Sequence, residues 1–200
     1  MSNKLRAYVN FLHEGGMLAK TPRSGFAFLG SGQQSVAEHC YRMALIAIAL
    51  ADLVKDQQKI NREKLIMLCL YHDLPETRTG DLNYVNKKYV QVMEAKAIED
   101  IKSAYPFGNE IYEYCIEFNE CKTPEAILAH DADVLELMLV LKQLHEIGNS
   151  KAIAWFDNCF RRLKSDTAKK LADEIRVTSS DSWWFVNPDD PHWIHGGKVK

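Results

Sequence analysis

Paired cysteines, a positive charge excess and long apolar runs are all missing from this 200-residue chain, and each absence removes a class of protein. The five cysteines, at positions 40, 69, 115, 121 and 159, include no CxxC pair, and Cys40, Cys69 and Cys115 fall inside apolar helical patterns, as buried thiols do. A reducing, cytoplasmic compartment is expected. With 25 basic against 27 acidic side chains and a net charge of −2, the chain lacks the global positive field that would favour long nucleic acid or a membrane surface. A local basic pocket for a small phosphate is still allowed. The longest apolar run, Met43 to Ala51, is about half the roughly 20 residues of a membrane-spanning helix, and Asp52 follows it directly. The first sixteen residues, MSNKLRAYVNFLHEGG, lack the continuous apolar stretch of a signal peptide. No segment alternates with period two for long enough to support a sheet, and no internal repeat or low-complexity block occurs.

What is present is helical periodicity. Hydrophobic residues make up 46% of the chain, enough for one sizeable core, so residues 1–200 are expected to form a single domain. Leu5, Val9 and Leu12 mark a first amphipathic helix ending at Gly15-Gly16. Ser35-Val36-Ala37-Glu38 has the form of a capping box, predicting a helix from there to about Val54. Asn61 caps the next, whose Leu65, Leu68, Cys69 and His72 share a face until Leu74-Pro75. Glu76 to Asn86 reads as a loop, followed by a helix to about Ala104 that Pro106 stops, and another over Glu110 to Glu120. Thr123-Pro124 starts the longest helix, which runs to Gly148, and two more follow around Ile153 to Leu163 and Thr167 to Ile175. The expected fold is all-α, a bundle of six to nine helices. Residues 178–200 hold three of the four tryptophans with two prolines and two histidines, and are expected to form an irregular aromatic segment packing on the bundle or on a neighbouring subunit.

Within this pattern His72-Asp73 places an imidazole and a carboxylate side by side late in an apolar helix, where both are costly to bury without a partner. A metal ion would supply one. His39 lies in the first turn of an earlier apolar helix, and Asp133 lies on the inward side of the long one. Four nitrogen and oxygen donors suit one divalent ion, Mn, Co, Ni, Fe or Zn, with Mg also admissible. Asp131 competes with Asp133 for the fourth position. Helical register favours Asp133, which lines up with Ala126, Ala129, Leu137 and Val140. His130 is adjacent, either beside the site or on the surface.

The order His39, His72-Asp73, Asp133 resembles the H…HD…D signature of the HD-domain metal-dependent phosphohydrolases. Its surroundings, T-P-R-S-G at 21–25, S-V-A-E-H at 35–39, H-D-L-P-E-T-R-T-G-D at 72–81 and D-A-D-V-L-E-L at 131–137, are similar to the branch containing 5′-deoxynucleotidases. The resemblance covers roughly residues 5 to 145. It implies that His39, His72, Asp73 and Asp133 bind the metal, and that the substrate is a small nucleotide, most simply a (deoxy)nucleoside 5′-monophosphate. It further implies that Glu76 and Asp81 divide the acid and base roles, that Arg23 grips the phosphate with Arg78 as a second cation, and that the protein is a homodimer. In that branch a tryptophan follows the arginine. Here Ser24-Gly25-Phe26 stands instead, which bears on recognition of the sugar.

Two further readings compete. Two-metal relatives need additional histidines between the HD pair and the last aspartate, and none occurs from 74 to 129, leaving His130 as the only extra candidate in that interval, while His192 and His195 in the tail would have to reach the site to complete a second one. Hydrolysis of a guanosine alarmone would require a broader basic surface than the few arginines near this site, and a nucleotide-binding protein with a vestigial metal site would have no need of Glu76.

Overall fold

The computed structural model describes residues 2–196, so residues 197–200 of the expected aromatic segment lie outside the described part. Eleven α-helical segments occur within it: α1 (Ser2–Gly16), α2 (Phe26–Leu29), α3 (Val36–Leu53), α4 (Arg62–Tyr71), α5 (Glu76–Thr79), α6 (Glu94–Ala104), α7 (Gly108–Glu120), α8 (Pro124–Glu146), α9 (Ala152–Phe160), α10 (Asp166–Val177) and α11 (Pro191–His195). Eight of these are nine residues or longer, as the periodicity implies. Among the described residues no strand forms, and the one extended pairing is an isolated antiparallel bridge between Pro22 and Ser35. No helix among the described residues is long and apolar enough to cross a membrane.

Local chemistry starts the helices where the sequence implies. The Ser35 hydroxyl accepts the Glu38 amide hydrogen at 3.2 Å while the Glu38 carboxylate accepts that of Ser35 at 2.6 Å, the reciprocal capping box that opens α3. Asn61 and Thr123 cap α4 and α8 in the same sense. Ser165, not foreseen, caps α10 by accepting the Ala168 amide hydrogen.

Two segments depart from expectation. Glu76 to Thr79 is a single helical turn rather than loop, and α4 does not continue through His72 to carry Glu76; the chain turns at residues 72–75 first. The helix expected soon after Asn86 begins only at Glu94. Asn83 explains the delay, because its side-chain oxygen accepts the amide hydrogens of Val85 and Asn86 and its NH2 donates to the Asn86 side chain, competing with helical bonding. The C-terminal segment is also less irregular than expected. Trp184, Phe185 and Trp193 cluster on one another around α11, while the Ser180 amide donates to Glu146 of α8.

Packing divides into two clusters. The larger joins α3, α4, α8, α9 and α10 through Met43, Leu50, Leu65, Leu68, Leu135, Met138, Leu141 and Phe156, all with 2% exposure or less. Each such side chain stabilises by roughly 1.5–3 kcal/mol on burial. The smaller joins Leu18, Val36, Cys40 and Leu74 to Ile98 and Ile101 of α6 and to Ile111 and Cys115 of α7. Its tight point is Gly108, where a Cβ would stand 2.2 Å from the Lys102 carbonyl oxygen, so only glycine lets α7 start so close to α6. His39 and His72 belong to elements that contribute to both clusters: α3 supplies Cys40 to the small one and Met43 to the large, and Cys69 and Leu74, on either side of His72, divide likewise.

Candidate metal centre

Three helices and one loop bring the predicted residues together. His39 is the fourth residue of α3, wholly buried, and its Nε2 lies 3.3 Å from Asp133 Oδ1 of α8 and 3.8 Å from Asp73 Oδ2. His72 Nε2 is 3.1 Å from the same Asp73 oxygen. Groups of possible metal donors among the described residues are His39, His72 and Asp133, and Cys40, His72 and Asp73.

The orientation of both imidazoles is fixed from behind. His72 Nδ1 faces the Cys69 carbonyl oxygen at 3.0 Å, and His39 Nδ1 faces Glu136 Oε2 at 2.6 Å. A carbonyl and a carboxylate only accept, so each Nδ1 carries the hydrogen, and in the neutral ring the Nε2 lone pair points forward. Both Nε2 atoms are buried without a hydrogen-bond partner, as is Glu76 Oε2. Buried polar atoms left unpaired are costly, and two imidazole nitrogens facing two carboxylates are the donor set a divalent cation requires. The residues present therefore fit a metal.

Glu136 is the residue that sequence reading passed over. It is wholly buried, yet accepts from His39, from Gln34 Nε2 at 2.6 Å and from the Arg42 fork at 2.8 and 2.5 Å. The available signal was its position three residues after Asp133, one turn along the same helix.

Charge in the site is dense. Burial pulls the His39 pKa down, as does Arg23, but Asp133 and Glu136 overcome both and push it up to about 9. Burial would raise Asp73 and Asp133, yet the histidines and Arg23 lower both, Asp133 to well below the ordinary carboxylate range. Glu76 behaves oppositely. Burial first, then the like charges of Asp73 and Asp81, push its carboxyl up to about 8.

Arg23 reaches this centre because the Pro22/Ser35 bridge folds its loop back onto the start of α3, with the Arg23 amide donating to the Gln34 carbonyl at 2.9 Å. Its guanidinium lies 3.5 Å from Asp73 and 4.0 Å from Asp133. Asp81 holds the same loop, accepting the Ser24 amide hydrogen at 2.8 Å. Gly80, at φ 72° and ψ 159°, has a backbone open essentially to glycine alone and turns the chain from α5 into Asp81. The aromatic beside this loop is Trp155 of α9, 3.7 Å from where a Gly25 Cβ would stand.

Other assignments change. Arg78 was expected at the phosphate, but its fork is taken by Glu14 of α1 at 2.5 and 3.0 Å, and Tyr105 donates to the same carboxylate. Its Nε and Nη2 are thus engaged by a carboxylate that is not among the metal donors. Asp131 is not at the centre. It is wholly buried and accepts the amide hydrogens of Lys164 at 2.7 Å and Ser165 at 2.9 Å, fixing the turn between α9 and α10. His130 stacks on Phe118 at 4.2 Å, and its Nε2 bonds the Phe118 carbonyl at 2.9 Å. His192 pairs with Asp190 in the exposed tail, and the His195 side chain lies outside the described part. Asp131→Ala should therefore lower stability by about 3 kcal/mol, on the order of 10 °C in melting temperature, while leaving metal content unchanged. Calorimetry beside elemental analysis checks both halves.

Comparison with known proteins points in the same direction. The HD domain family model matches residues 15–176. A 5′-deoxynucleotidase of Dictyostelium discoideum is 31% identical over 84% of this chain and 96% of its own length, and one of Schizosaccharomyces pombe is 30% identical over 92% and 96%. A solved structure from Pyrococcus furiosus, described as a conserved hypothetical protein, superposes with a TM-score of 0.72 at 27% identity, covering 84% of this chain and 98% of its own.

Proposed function

Because the chain belongs to the HD-domain family of metal-dependent phosphohydrolases, we propose that it hydrolyses a (deoxy)nucleoside 5′-monophosphate to nucleoside and phosphate, holding one divalent ion, Mn, Co, Ni, Fe or Zn, through His39, His72, Asp73 and Asp133. The observation that carries the reading is the pair of buried, unpartnered Nε2 atoms facing two carboxylates, with the unpartnered Glu76 close by. When bound, the ion supplies positive charge for the phosphoryl oxygens and lets water act as a nucleophile near neutral pH.

The remaining work falls to side chains. Arg23, whose guanidinium stands against Asp73 and Asp133, grips the substrate phosphate and orients it. Water forms the new P–O bond as the bond to the 5′ oxygen breaks, and the departing oxygen needs a proton. Glu76, whose carboxyl is pushed toward its protonated form by burial and by the charges of Asp73 and Asp81, donates it. The water's own proton restores the acid. Asp81 holds the Arg23 loop through Ser24 and adds the negative charge that keeps Glu76 protonated.

The relatives named 5′-deoxynucleotidases support a nucleotide as substrate. Free cysteines at all five positions support a reducing, cytoplasmic setting. Apolar side chains left exposed on α1 (Leu5, Val9, Leu12) and α3 (Tyr41, Leu45, Ile48) support a homodimer.

Phosphate release from deoxy- and ribonucleoside 5′-monophosphates with Mn, Co and Mg tests the reading, with Arg23→Ala run alongside. We expect turnover by wild type, and a KM raised at least about tenfold in the variant with kcat less affected. No turnover of any monophosphate by the metal-loaded protein would overturn the function, and unchanged constants in Arg23→Ala would remove its role.

A further inference from the structure

Once Arg78 is tied to Glu14, the site is left with four acidic side chains and one arginine for a dianionic substrate, yet the structure places a second arginine at its edge. Arg162 follows α9, and its Nη2 lies 3.7 Å from Asp133 Oδ2. The two oxygens of Asp133 thus have different neighbours: Oδ1 faces His39 and Arg23, and Oδ2 faces Arg162.

Its exposure separates it from Arg23. The Arg162 side chain is 56% exposed against 18% for Arg23. An ion pair this open adds little to stability, so folding alone gives no reason for the placement. A guanidinium has five N–H donors in a planar fork, and Asp133 and Cys159 beside it leave others for an incoming oxyanion.

The placement is also built. Asp131, wholly buried on α8, accepts the amide hydrogens of Lys164 and Ser165, and Ser165 caps α10. That anchor fixes the chain two residues beyond Arg162. Asp131 and Asp133 thus act as a pair, one holding the backbone of the α9–α10 turn and the other meeting the arginine this turn carries.

We propose that Arg162 is a second phosphate-binding residue, closing on the substrate's phosphoryl oxygens from the α9–α10 turn while Arg23 holds them from the loop before α3. This rests on the phosphomonoesterase reading above, and the test separates the two. Titration calorimetry of inorganic phosphate into the metal-loaded protein needs no turnover. Arg162→Ala should weaken phosphate binding about tenfold or more, with Arg162→Lys recovering part of it. Metal content and melting temperature should stay at wild-type values. In turnover, KM should rise with kcat changed less, and competitive inhibition by the nucleoside product, which has no phosphate, should be unaffected. Asp131→Asn should reproduce a smaller rise in KM by loosening the turn. Phosphate affinity unchanged in Arg162→Ala would overturn the proposal, as would a variant that loses metal but keeps its affinity for phosphate, since Arg162 would then serve Asp133 alone. If wild type binds phosphate through Arg162 but hydrolyses no nucleotide, the parent reading fails and the binding site stands. If wild type does not bind phosphate, this proposal fails, and turnover of the monophosphates decides the parent reading separately.

Discussion

Asp73→Ala is expected to leave the protein folded, without metal, and with kcat/KM reduced by about a thousandfold or more. Asp73 Oδ2 is the atom that ties the site together, 3.1 Å from His72 Nε2, 3.8 Å from His39 Nε2 and 3.5 Å from Arg23. Its removal takes away one donor and also the negative charge that opposes three cationic or protonatable neighbours. The folded chain should survive, because the leucines and isoleucines of both clusters are untouched. Thermal melting separates loss of metal from loss of fold. A cation that binds only the native state at a hundred times its Kd stabilises wild type by about 2.7 kcal/mol, so Mn or Co should raise the wild-type melting temperature and leave that of Asp73→Ala unmoved. A variant that still gained stability from metal and kept its turnover would remove Asp73 from the donor set.

Glu76→Gln should keep the metal and lose kcat by about a hundredfold to ten-thousandfold, the range associated with a positioned acid or base. Its pH signature is independent of turnover. In the metal-free protein the Glu76 carboxyl titrates at about 8 against an ordinary value of 4.5. A group whose pKa is raised on folding gives stability that is complete below the unfolded value and is lost as pH rises through the folded one. Wild type should therefore lose stability relative to Glu76→Gln between about pH 4.5 and pH 8, by up to on the order of 4 kcal/mol, with the curves meeting at the acid end. His39, whose pKa is also raised, is present in both proteins. Denaturant melts of the two metal-free proteins across that range decide it. Curves that stay parallel would show that Glu76 is not held protonated by its surroundings.

Much of this was legible in the chain. Ser35, Asn61 and Thr123 announce their helices because capping depends on bonds between residues three positions apart, which a sequence displays directly. His39, His72 and Asp73 stand out because ionisable groups in apolar helices need partners. Register chose Asp133 over Asp131; Asp133 lies beside His39, while Asp131 is the more deeply buried. On a central helix such as α8, packed on several sides, burial alone does not separate a donor from a structural carboxylate; only the distant amides of Lys164 and Ser165 do.

The same limit governs the arginines. Arg78 and Arg162 are alike as letters, and proximity in sequence to the HD pair favoured Arg78. Yet Glu14, some 64 positions away, takes the first, and a turn anchored on α8 brings the second to Asp133. Glu136 went unnoticed for a related reason, since its partners Gln34, His39 and Arg42 all lie roughly a hundred residues earlier. The sequence by itself determined the long helices, the caps of three of them and that the His72-Asp73 pair demanded a partner, because those follow from short-range bonding and the cost of burying charge. Only the tertiary structure decided which partner each group received, because that choice is made by contacts between helices distant in the chain.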